Sequence, residues 1–180
     1  MRIGLLCHVA LAVLFLPGVT AALATDQWGD DQASVRAAAG GELIIDGPRR
    51  LIHHGTYAGI PVTVNRRFDD GGLRQVRYFN RAGHRRPAGY IEDFERLRRH
   101  LTDAYGEPDL DLREWRSDAL REQPGMDGMA LAGGKLVLVA GWETPEARIL
   151  MTLQREHTAI AHQLVFTDPE AGPDTFTTGQ

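Results

Sequence analysis

A chain of 180 residues with 43% hydrophobic and 24% charged side chains is long enough for one globular domain with its own core, and its net charge of −4 lacks the basic balance of a nucleic-acid binder. The only cysteine, Cys7, sits in the first apolar run, so the chain beyond it has no disulfide, no thiolate ligand and no cysteine nucleophile. Apart from Lys135, every cation is an arginine.

The first 24 residues read as a secretory signal peptide. Arg2 gives a short positive start, Ile3 to Leu16 is almost unbroken apolar sequence, Pro17-Gly18 closes it, and Ala22 and Ala24 supply the small residues a signal peptidase requires. That run, interrupted by His8, is too short to cross ~30 Å of hydrocarbon as a helix. Leu6, bulky where a small residue is needed before Cys7, argues against lipidation. Cleavage after Ala24 leaves 156 residues beginning at Thr25, with no membrane span, in the periplasm or outside the cell.

Residues 25–41 carry Trp28 as their only large apolar side chain and read as a flexible lead-in; 42–167 form the single domain; 168–180, rich in Pro, Gly and Thr, read as a disordered tail. Leu43 to Asp46 and Leu51 to Tyr57 are short strands. Ile60 to Phe68 and Leu73 to Phe79 form a hairpin, because Asp69-Asp70-Gly71-Gly72 supplies the positive φ values of a tight return. Tyr90 to Tyr105 is the main helix: Ile91, Phe94, Leu97, Leu101, Ala104 and Tyr105 recur at spacings of three and four, Glu92, Asp93 and Glu95 precede Arg96, Arg98 and Arg99, and Gly106 and Pro108 end it. A polar passage containing Trp115 follows. Lys135 to Trp142, Ala147 to Arg155 and Ala159 to Thr167 are further strands, the first apolar on both alternations and so central. The expected fold is α+β, a largely antiparallel sheet of about five to six strands covered by one main helix, Tyr90 to Tyr105.

No motif for catalysis, metal or cofactor stands out. His53 and His54 are neighbours on a strand and point to opposite faces; His157 and His162 flank a turn; His162 shares a face with Ile160, Leu164 and Phe166, as a hydrogen-bonded core histidine would. Ser34 and Ser117, the only serines, lie outside any nucleophile elbow, and the Gly-Gly pairs lack the context of a phosphate loop. Asp69-Asp70 serves the hairpin turn, and Asp109 and Asp111 the solvated loop after the helix.

Charge is unevenly divided. Arg49 to His100 holds 12 arginines against 5 acids, and Leu101 to Gln180 holds 6 cations against 14 acids, a pattern that folding of one half against the other would neutralise. The best candidate for binding is the loop Asn80 to Pro87, where Arg81, His84, Arg85 and Arg86 suit phosphate or carboxylate recognition. The ending of the helix, Leu97, Leu101, Tyr105, Gly106 and Pro108, with the strands around it, resembles small bacterial exported proteins, but these are fold residues. The expectation is therefore an exported bacterial protein that is a non-enzymatic binding or accessory module of the cell envelope, without cofactor or metal. Its expected partner is an anionic envelope component or an envelope protein, not nucleic acid. The alternative is a hydrolase whose site is assembled from scattered Asp, Glu and His.

Overall fold

The computed structural model describes residues 26–172; the expected signal peptide, Thr25 and residues 173–180 of the expected tail lie outside them. The chain is α+β, with eight strands in one antiparallel sheet. β1 (Leu43–Gly47), β2 (Arg50–Tyr57), β3 (Ile60–Asp69) and β4 (Gly72–Asn80) form a meander. A second meander, β5 (Leu110–Trp115), β6 (Leu136–Glu143), β7 (Arg148–Glu156) and β8 (Ala159–Thr167), returns so that β8 pairs with β4, giving the order β1-β2-β3-β4-β8-β7-β6-β5. The long helix, here Ala88–Tyr105, carries the chain from the sheet centre to its far edge.

Local chemistry explains the turns. β2 and β3 are joined through Ala58 and Gly59, and β3 and β4 through Asp70 and Gly71, all four with positive φ, the mirror-image turn geometry that matches strand twist. The helix ends where Gly106, φ 86°, turns the backbone away, and Trp142 Nε1 donates to the Gly106 carbonyl at 2.9 Å.

One sheet face is the core. Val62, Val64, Val76, Tyr78, Leu164, Phe166, Met151 and Leu138 are buried there beneath Phe94, Leu97 and Leu101 of the helix. Each of these three helix side chains contributes at most ~1.5–3 kcal/mol through burial.

Three expectations need correction. The sheet has eight strands rather than five to six, and four helices lie among the described residues: α1 (Gln32–Ala38), α2 (Ala88–Tyr105), α3 (Asp118–Arg121) and α4 (Asp127–Ala132). The strand missing from the sequence reading is β5, which turns Leu110 and Leu112 outward and Asp111 and Arg113 toward the helices, where they pair with Arg98 and Asp127; its apolar alternation faces solvent, opposite to the usual pattern. Asp111 is thus a strand residue and not part of a solvated loop. The lead-in is packed: Asp31 caps α1 by accepting from the Ala33 and Ser34 amides, Val35 is fully buried, and Gly29 and Asp30 exchange backbone bonds with Leu73. Likewise Asp168, at the start of the expected tail, is buried and accepts from Arg74 at 2.6 Å.

Candidate functional site

The loop between β4 and α2 is held in shape at both ends. Arg81 N donates to the Pro61 carbonyl at 2.8 Å, Ala82 N to Asn80 Oδ1 at 2.6 Å, and Gly89 N to the Arg86 carbonyl at 3.0 Å. In its middle, His84 turns inward and its Nε2 donates to Asp93 Oδ2 at 2.6 Å, while its ring stands edge-on to Tyr90 at 4.7 Å between centroids. A Cβ on Gly89 would lie 2.6 Å from His84 Nδ1, so glycine is what lets the imidazole lie against the first turn of the helix.

Asp93 is the hub of this anchor. The sequence placed it among the acids that complement the helix dipole, but the helix begins two residues earlier, and its first turn holds no acid. Asp93 is instead 2% exposed and accepts from Asn80 Nδ2 at 2.9 Å as well as from His84. Arg96 approaches its second oxygen at 3.4 Å. Burial pushes the Asp93 carboxyl up, but the hydrogen bonds from His84 and Asn80, with the charges of His84 and Arg96, outweigh it and hold the group below its ordinary range. It is a carboxylate at neutral pH.

His162 on β8 closes the network. Its Nδ1 accepts from Asn80 Nδ2 at 3.1 Å, which puts its proton on Nε2, and Nε2 is buried without a partner among the described residues. Burial, the largest influence, pushes the His162 imidazole down to about 4, so it is neutral at physiological pH. The core-histidine reading holds for its burial and its hydrogen bond. The network Asn80, His84, Asp93 and His162 draws on β4, the loop, α2 and β8, and the sequence offered only His84 of these as a site residue.

Arg81, Arg85 and Arg86 are exposed, and none of the three makes a side-chain hydrogen bond or ion pair among the described residues. Among the described residues the acidic half meets the basic half in two ion pairs, Arg74 with Asp168 and Arg98 with Asp111. The four loop residues thus divide in role: three guanidiniums face solvent, and His84 fastens the loop beneath them.

Two other features complete the polar chemistry. A shallow groove of about 470 Å³ on the sheet face opposite α2 is bordered by Leu110, Gly141, Glu143, Arg148 and Leu150. In the core, Arg66 donates through Nε to Asp26 Oδ2 at 2.6 Å and contacts His53 Nε2. His53 Nδ1 donates to the His54 carbonyl, while burial and the Arg66 charge push the His53 imidazole down. His53 and His54 face opposite sides of the sheet. Among the described residues no group of three His, Cys, Asp or Glu side chains is placed to hold a metal ion, and no helix is long and apolar enough to cross a membrane.

Fold and site together define an α+β domain presenting a fastened arginine loop. The chain matches no family model, no curated protein and no solved structure.

Proposed function

We propose that the chain is exported and serves as a non-enzymatic binding module for an anionic component of the bacterial envelope, which it contacts through Arg81, Arg85 and Arg86. The observation that supports this reading most is that, among the described residues, three exposed arginines have no acidic partner on a loop tied down by His84 and Asp93. Guanidiniums held on a fixed loop lose less freedom on binding, and their forked donors match phosphate and carboxylate oxygens. The loop also leads into an α2 N-terminus with no side-chain cap and no acid in its first turn, so the local field is positive. The export address comes from residues 1–24, whose apolar run and small residues at Ala22 and Ala24 suit a signal peptidase.

The test is binding of the chain to vesicles of anionic phospholipid and to an acidic polysaccharide, each against a neutral control. Replacing Arg81, Arg85 and Arg86 together by Gln leaves the melting temperature within about 1–2 °C, weakens binding roughly tenfold or more at low salt and flattens its salt dependence. Unchanged binding by the triple variant removes the loop as the site.

A second reading, a hydrolase, draws on one geometry. His84 Nε2–H is held by a buried carboxylate and its Nδ1 has no hydrogen-bond partner among the described residues, the arrangement of an oriented general base. Ester hydrolysis that is lost in H84Q and kept in the triple arginine variant would favour it.

A further inference from the structure

α2 covers one face of the sheet, and strand register fixes what the opposite face presents. One row crosses five strands: Arg77 on β4, Val165 on β8, Leu150 on β7, Gly141 on β6 and Leu110 on β5, each directly opposite the next. On β4, β8, β7 and β6 these positions alternate with the core residues Val76, Phe166, Ile149 and Trp142, so the row lies on the uncovered face. Leu110 and Leu150 are exposed there, and Gly141, lacking a side chain, leaves between them the dip that forms the groove of about 470 Å³. Four strand spacings of about 4.8 Å make this apolar lane about 19 Å long.

The lane begins at a cluster of cations. Arg67 on β3 is the diagonal neighbour of Arg77, and Arg50 on β2 stands directly opposite Arg67, all on the same face. Among the described residues none of the three forms an ion pair. Arg77 is half-buried and held in place: it donates to Gln75 Oε1 at 3.3 Å, and Gln75, itself buried, donates to Thr167 Oγ1 at 3.4 Å. Its guanidinium lies 5.9 Å from the centre of the Phe79 ring. Burial, and after it the Arg67 charge, push the Arg77 guanidinium down. Neighbouring cations without a counter-ion destabilise one another, and an anion seated between them relieves this.

We propose that this face binds a single-chain anionic amphiphile of the long-chain carboxylate class, its head between Arg67 and Arg77 and its chain laid across Val165, Leu150 and Gly141 to Leu110. The carboxylate oxygens accept from both guanidinium forks, and the chain covers leucines that otherwise meet water. A second copy of the protein suits the face less well. In the adjoining row Arg50, Arg67 and Arg148 stand with one acid, Glu143, so two such faces laid together bring cations against cations. The site is separate from Arg81, Arg85 and Arg86, which lie on the loop beyond β4, and it does not depend on the export reading.

Titration calorimetry of the purified protein with saturated carboxylates from octanoate to tetradecanoate, all below micellar concentrations, tests it. Affinity rises about two- to fourfold per added methylene, and dodecyltrimethylammonium binds roughly tenfold or more weakly than dodecanoate. R67Q/R77Q weakens dodecanoate binding roughly tenfold or more. G141V does so by a similar factor, because a Cβ there enters the groove at 3.5 Å from Leu110 Cβ, an ordinary contact, and valine suits a strand. If either variant fails to fold, amide shifts of the wild-type protein decide: dodecanoate moves the signals of Val165, Leu150 and Gly141, and shifts confined to other residues refute the site. Equal binding of the anionic and cationic amphiphiles overturns the head assignment, and affinity independent of chain length overturns the lane. Binding lost in the triple Arg81, Arg85 and Arg86 variant but kept in R67Q/R77Q assigns the amphiphile to the loop and refutes this site. A dimer in sedimentation that takes up no carboxylate refutes it in favour of a second copy.

Discussion

Acid should weaken this domain in a window set by His162. The imidazole is pushed down from about 6.5 to about 4 by burial, so the unfolded chain takes up a proton in that interval while the folded chain does not. Stability from this group is therefore fully present above about pH 6.5 and is lost as the pH falls through about 4. Keeping the imidazole neutral down to about 4 instead of about 6.5 amounts to about 3 kcal/mol, a large part of the ~5–15 kcal/mol that holds a typical domain folded. His53, also pushed down, adds a contribution of the same sign. Asp93 acts in a lower window, because a carboxyl held below its ordinary range keeps its contribution above about pH 4 and loses it under that. His162→Leu isolates the first effect: the variant gives up the bond from Asn80 but has nothing to protonate. Urea melts from pH 7 to pH 4 should show wild type losing about 3 kcal/mol more than the variant over the interval. Parallel stability curves for the two proteins, or an imidazole seen by NMR to titrate near 6.5, would refute the assignment of His162 as a buried neutral side chain.

Three further outcomes follow from the packing. Phe94→Ala should cost ~3–5 kcal/mol in denaturant melts, since the ring is buried under the helix against His162, whereas Arg98→Ala loses one partly exposed pair with Asp111 and should cost under about 1 kcal/mol. Gly89→Ala should drive the His84 ring off Asp93; a helix position that ordinarily gains about 1 kcal/mol from this change should gain little or lose, and the His84 ring resonances should shift. The triple arginine-to-glutamine variant should separate binding from stability, with calorimetry unchanged and association with anionic vesicles weakened.

The sequence by itself determined the elements whose signals are local. Asp70-Gly71 between two alternating runs specifies a mirror-image turn wherever it occurs, and the stripe Phe94, Leu97, Leu101 specifies a helix with one apolar face. The position of His162 on an inward-facing register also follows from the period of two in β8. Tertiary structure decided what depends on partners far along the chain. β5 carries its leucines outward and its charges on the helix side, where Asp111 and Arg113 stay exposed and meet Arg98 on α2 and Asp127 on α4. Asp93 reads as a helix-dipole residue until β4 and the loop bring Asn80 and His84 to it. Asp26, 40 residues from Arg66, gives no sign in its own neighbourhood that it is a core counter-ion. Propensity and periodicity act over one turn or one hairpin, while the pairing of buried charges is settled by which strands lie side by side, and in this chain that depends on β8 returning to β4.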